Sequence, residues 1–378
     1  MTRTKNGIDS NGFINQSLRG AGKLVQCNFH CKYGGFVMRK YLWVIAAFFL
    51  FSADVYAAEY KFYDISDPNK DFTSGVAIND KQEVLLGHSL WTPSQGFQDI
   101  DIFGPPNRFF LWDINNQGHV AGYFADSTSI NAVLWDRTNP YIPLGSGAIA
   151  EHINDLDHVS GSIIGGGLFH WTPATGMTAI GNFNGKITKI KDMNNSDVIV
   201  GTYEPSIIGT KPFMWDPVNG FRDLNGFSGL FASANGINNL GQIVGISNGE
   251  VVIWDPVNGL TPLGINGNSV YNLKINDKGQ ISGHSSSGQP FLWDPVKGIV
   301  DINAANGYPP KDQYSYFKID DLNNFGDFTG FGSVLGRSEA FAVLASNTPI
   351  VTPEPMSSSL FFLGAGILGL SRKFRKKK

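Results

Sequence analysis

Cysteine is almost missing from this chain of 378 residues: there are two, Cys27 and Cys31, and both lie ahead of the part that carries the pattern described below. That part therefore has no thiol from which to build a disulfide framework. Charge is also scarce, at 16% of residues against roughly 25% in average soluble chains, so few surface salt bridges are available. A basic face is lacking over 58–352. Residues 1–57 hold seven Lys or Arg and two acids, and 353–378 hold six and one, which leaves 16 basic and 29 acidic residues and a net of −13 between them. Binding to nucleic acid by phosphate neutralisation is excluded for such a body. Long apolar runs are lacking as well, since the stretches 41–51 and 360–370 both fall short of the roughly 20 residues a stable span requires. Glycine, by contrast, is abundant. Its 45 residues are about 12% of the chain, with no three-residue period, which implies many tight turns.

The two ends read as address labels. From Met38 the chain runs MRKYLWVIAAFFLFSADVYAAEY: Arg39 and Lys40, an apolar run, then small residues around Ala53, Ala57 and Ala58. This is the order of a secretory signal peptide, 38–57, with cleavage expected after Ala57 or Ala58. Residues 1–37 show no apolar periodicity, and Met38 sits where such a peptide should begin, so 1–37 is expected to be a mis-assigned upstream region. The body spans 58–346 and a linker 347–352 leads to the tail, 353–378. There an expected apolar helix, 357–371, is followed by a basic end, 372–378.

The body repeats itself. Seven segments share an aliphatic residue, Asn, then Gly with further aliphatics, as in INNQGHVAG, INNLGQIVG and INDKGQISG. Their asparagines are Asn79, Asn115, Asn154, Asn194, Asn238, Asn276 and Asn323, with steps of 36, 39, 40, 44, 38 and 47 residues. A second element follows in phase: Trp91, Trp135, Trp171, Trp215, Trp254 and Trp293 end apolar runs such as PFMWDPVNG, after which glycine restarts the chain toward Asp-Leu or Pro-Leu-Gly. Each repeat thus reads as four short strands joined by Asn and Gly turns. Four antiparallel strands at a period near 40 predict an all-β fold, a β-propeller of seven four-stranded blades with each Trp packed between neighbouring blades. A β-solenoid is the rival, disfavoured because its repeats are usually shorter. The seventh repeat has no Trp, Val343 standing in its expected place, and no fourth strand. Residues 60–65, YKFYDI, belong to no repeat and end like 98–100, QDI. They are predicted to fill the vacant place and close the ring.

Two resemblances rest on these residues. Pro353-Glu354-Pro355, a short glycine-dotted apolar stretch, then Arg372, Lys373, Arg375 and the lysines 376–378 resemble the PEP-CTERM sorting signal of Gram-negative bacteria that make extracellular polysaccharide. The resemblance implies that an exosortase-type membrane protease cuts near the Pro-Glu-Pro motif. The chain would be held transiently in the inner membrane and then released to the surface or matrix. The basic end would stay cytoplasmic until then. A permanent anchor is the alternative. The repeats resemble extracellular HAF repeats most closely at Asn131 to Trp135, Pro290 to Trp293 and Glu339 to Phe341, although the initial His of that run is absent throughout.

Chemistry is harder to find. The letters around Ser247 match a nucleophile elbow, but strands are expected on both sides of it. Residues 151–158, EHINDLDH, could in principle hold zinc or calcium through His152, His158, Asp155 and Asp157. They occupy the ordinary turn of their repeat, so the expectation is no metal, no cofactor and no catalytic set. His88, His119, His170 and His284 fall at different repeat positions and read as surface or packed histidines. Two functions remain: a non-catalytic surface or matrix protein binding polysaccharide or another envelope component, or a propeller hydrolase or lyase acting on polysaccharide. The second needs carboxylates converging on the central channel.

Overall fold

A computed structural model describes residues 60–65, 75–100, 108–137, 141–286, 289–300, 302, 314–334 and 340–346. The signal segment, the linker and the sorting tail lie outside the described residues, and within them no helix is long and apolar enough to cross a membrane. The described strands form seven four-stranded antiparallel sheets arranged as the blades of a propeller. The first strand of each blade lies nearest the axis and ends at the repeated Asn: Ala77–Ile78, Arg108–Ile114, Ala148–Ile153, Thr188–Met193, Ser233–Ile237, Val270–Ile275 and Tyr314–Leu322.

Six blades take all four strands from one stretch of chain, and the seventh borrows its fourth. Lys61–Asp64 pairs with Ala340–Ser346, in the register Lys61 to Ser346 through Asp64 to Val343. The early strand therefore closes the ring as its sequence implied, joining the two ends of the body in one blade as the outermost strand of that sheet.

Among the described residues the core forms seven apolar clusters, each built from two adjacent blades, because a single four-stranded sheet cannot cover both its faces. Trp135 shares a cluster with Leu85 and Leu90 of the blade before it, Trp171 with Leu134 and Leu144, and Trp215 with Leu168. In the cluster between the last two blades the register corrects one expectation. The Trp of the other blades faces an aliphatic five residues after the Asn, as Trp215 faces Ile199. In the last blade that residue is Phe328, and its partner is Ala345, not Val343. Large and small have changed places across the pair. Phe328 is fully buried, its ring 5.2 Å from that of Tyr60 and 6.0 Å from that of Phe62, so the closing strand supplies the missing aromatic volume.

Candidate functional site: the central channel

The seven asparagines are all buried and form a closed ring of hydrogen bonds about the axis. Each Nδ2 donates to the backbone carbonyl of the next Asn at 3.0–3.2 Å, and Asn323 completes the circle onto Asn79. Each Oδ1 accepts the backbone N–H groups two and four residues on, at 2.9–3.1 Å. Asn thus forms the local turn as expected and also joins the blades. One residue on, Asp80, Asn116, Asp155, Asn195, Asn239, Asp277 and Asn324 form a second closed ring, each backbone N–H donating to the next residue's Oδ1 at 2.8–2.9 Å. Acids are interleaved with amides, so Asp155 Oδ2 accepts from Asn116 and Asn195, and Asp80 Oδ2 from Asn116 and Asn324. This end of the channel is polar, narrow and fully occupied with holding itself together.

Below the rings the first strands carry Asp113, His152, Asp192, Lys274 and Asp321, each two residues before its Asn. Three of these acids also fasten blades: Asp113 Oδ2 accepts from the Ile153 N–H at 3.1 Å, Asp192 Oδ2 from Ile237 at 3.0 Å and Asp321 Oδ2 from Ile78 at 2.9 Å. His152 Nδ1 lies 3.6 Å from Asp113 Oδ2 and 4.0 Å from Asp192 Oδ1. Burial works against the charge of Lys274, but Asp192, Asp321, Asp113 and Asp320 outweigh it and hold the ammonium above its usual range. Burial and the charge of Asp113 push Asp321 up to about 7 against the opposing pull of Lys274.

Toward the other mouth the channel opens into a cavity of about 600 Å³ lined by Trp112, Glu151, His152, Lys191, Asn272, Lys274 and Asp320 among others. A repeated backbone defect places several of these side chains. The first strands of blades two to seven each carry a break in register just before the Asn, which takes Trp112, Glu151, Lys191, Asn272 and Asp320 out of the ladder and places them on the cavity wall, where Asn272 Nδ2 donates to Asp320 Oδ1 at 3.0 Å. The break explains the repeated glycine seven residues after Asn. A Cβ at Gly161, Gly201, Gly245 or Gly330 would overlap the carbonyl oxygen of Ile149, Lys189, Ser233 or Lys318. In the first blade the described pairing is limited to Ala77 with Leu85 and Ile78 with Val84, and Leu86 stands where the other blades have that glycine.

The metal-ligand candidates of 151–158 do not converge. His152 faces Asp113 and Asp192 in the channel, Asp155 belongs to the second ring, Asp157 Oδ1 meets His119 Nδ1 at 2.7 Å, and His158 Nδ1 meets Asp197 at 2.9 Å. Ser247 lies in a strand and accepts from the Ser228 N–H at 2.9 Å, so no nucleophile elbow forms. Trp112 was not singled out from sequence. Its signal is that it falls out of phase with the six interface tryptophans, three residues before Asn115 where the other repeats have Val, Glu, Lys, Asn, Leu and Asp.

No known family profile and no curated protein matches the sequence. Among solved structures, a chain described as YCF48 bound to D1 peptide is similar over 76% of this chain and 97% of its own length, at 13% identity and a TM-score of 0.51. An acylaminoacyl peptidase of Pyrococcus horikoshii matches over 80% of this chain and 55% of its own, at 12% identity and a TM-score of 0.48. TolB from Acinetobacter baumannii matches over 60% and 63%, at 14% identity and a TM-score of 0.39. The first likeness shows the fold alone, a β-propeller, to which the weaker two add nothing.

Proposed function

We propose that this protein is an exported, non-catalytic binding propeller of the cell surface or matrix, whose channel cavity takes a segment of polysaccharide. The observation that carries this reading is Trp112. Six tryptophans are packed into blade interfaces, whereas Trp112 is 48% exposed and stands at the wall of the 600 Å³ cavity beside Glu151, His152, Lys191 and Asp320. A flat aromatic face with acceptors and donors around it suits a polyhydroxylated ring, which offers C–H groups on one side and hydroxyls at its edge. Wild-type full chain titrated with envelope polysaccharide should quench tryptophan fluorescence, and Trp112→Ala should weaken binding at least about 10-fold, roughly 1.4 kcal/mol. Equal binding by both, or none by the wild type, would remove the proposal.

One observation favours a hydrolase: Asp321, pushed up to about 7, is set to hold a proton as a general acid does. Asp113, Asp192 and Asp321, however, already accept backbone N–H groups of the following blades, which accounts for these three as fasteners. Reducing ends released from the same polysaccharide would decide for the enzyme. The sorting half of the proposal rests on the PEP-CTERM resemblance and is tested by mass spectrometry of the surface form. Its last residue should lie near Pro355, and an intact end at 376–378 would mean a permanent anchor.

A further inference from the structure

Between the third and fourth blades His158, His170 and Asp197 bring one ligand atom each to within 4.8 Å of one another. His158 Nδ1 lies 2.9 Å from Asp197 Oδ1, and His170 Nε2 lies 3.4 Å from the same oxygen. His170 is 7% exposed, and its buried Nε2 meets Asp197 Oδ1 at a length and angle that do not make a well-formed hydrogen bond. Such an atom is costly in a core unless something binds it.

The repeats supply the comparison that makes His170 unusual. It stands immediately before the interface Trp of its blade, where the five other Trp-bearing blades have Leu90, Leu134, Met214, Ile253 and Leu292. An apolar position has become His in the one blade where the side chain meets a second His and an acid. The neighbouring interface provides a copy of the pair without the third member. There His119 Nδ1 lies 2.7 Å from Asp157 Oδ1, Asn115 Nδ2 donates to that oxygen at 2.8 Å, and the residue before Trp135 is Leu134. At the three-membered site Asn154 Nδ2 donates to Asp197 Oδ1 at 2.8 Å and orients the carboxylate. Asp197 also holds a left-handed backbone, φ 59°, at a position occupied by glycine in four other blades and by Gln82 and Asp157 in the remaining described turns.

We propose that His158, His170 and Asp197 form a mononuclear site for a divalent transition-metal cation of the zinc class. Two imidazoles and a carboxylate are the donor set such ions take, with ligand distances of about 2.0–2.2 Å that place the donor atoms roughly 3.3 Å apart. The two spacings to Asp197, 2.9 and 3.4 Å, are close to this, and all three donor atoms lie within 4.8 Å, so binding draws the two imidazoles together as the carboxylate retreats slightly from His158. His158 and Asp197 are partly exposed, at 23% and 15%, which leaves a side for water or an exogenous ligand in the fourth place.

The test uses untagged full chain, stripped with chelator, re-equilibrated with zinc and then desalted for metal analysis. Wild type should retain one zinc per chain, and His170→Leu, which recreates the neighbouring interface, should lose affinity by more than about 100-fold, the upper end of what loss of an outer-shell partner costs. His119→Leu should retain the metal. Cobalt titrated into wild type should give the ligand-field spectrum of a nitrogen- and oxygen-bound ion, absent in His170→Leu, and melting in metal-free buffer shows whether each variant is folded. Equal zinc content in wild type and a folded His170→Leu, or no zinc in the wild type, overturns the proposal. Should His170→Leu not fold, Asp197→Asn replaces it under the same two outcomes.

Discussion

Breaking the asparagine ring at Asn194 separates its two duties. The side chain is 5% exposed, accepts the backbone N–H groups of Ser196 and Val198 at 3.0 Å each, and donates to the Asn238 carbonyl at 3.1 Å. Asn194→Ala removes three hydrogen bonds at about 1 kcal/mol net each, about 3 kcal/mol in all. With a urea slope of about 3 kcal/mol per molar, the unfolding midpoint should fall by about 1 M. Asn194→Asp keeps both accepted bonds but points an oxygen at the Asn238 carbonyl, replacing attraction with repulsion in a buried place. At neutral pH it should therefore also lose stability. A protonated carboxyl can donate where Nδ2 did, so the folded state raises the pKa of the new group. Its penalty is present above that pKa and relieved as pH falls through it. The gap between Asn194→Asp and wild type should narrow between about pH 7 and 4.5, and the gap for Asn194→Ala should not. An alanine variant within about 0.3 M of wild type, or an aspartate gap independent of pH, would refute the ring as a source of stability.

Deleting 59–65 removes the closing strand together with the Tyr60 and Phe62 rings packed on Phe328, so the whole body should unfold at a lower denaturant midpoint; an unchanged midpoint would show that the ring does not depend on its closure. Gly201→Ala places a methyl on the Lys189 carbonyl and should cost about 1–3 kcal/mol, while Leu86→Ala, at the equivalent position of the first blade, should behave as an ordinary core truncation of about 2–5 kcal/mol. Asp321 is protonated more readily in the folded protein than in the unfolded chain, so the penalty for its charge is present above about pH 7 and disappears as pH falls toward 4. The melting temperature should rise on going from pH 8 to 5, and Asp321→Asn should flatten that rise.

The amino-acid order alone led to the expectation of seven blades, four strands in each, tryptophans at the interfaces and a closing strand. These are local patterns repeated in tandem, and repetition reports one structure seven times. The paired Asn-Asn and Asn-Asp letters were legible as turns, because that duty involves only the residue's own backbone. Their second duty, bonding to the next blade, links residues 36 to 47 positions apart, and Asn323 to Asn79 across 244, so it exists only once the ring is closed. The same holds for Phe328 with Ala345, where pairing register and not letter alignment decided which residue replaces Trp. Trp112, Glu151 and Asp320 reach the cavity wall at breaks in strand register. His170 became a partner of His158 and Asp197 only through the meeting of two blades. Which side chains face one another across an interface depends on strand register and blade contact, and those are properties of the closed ring.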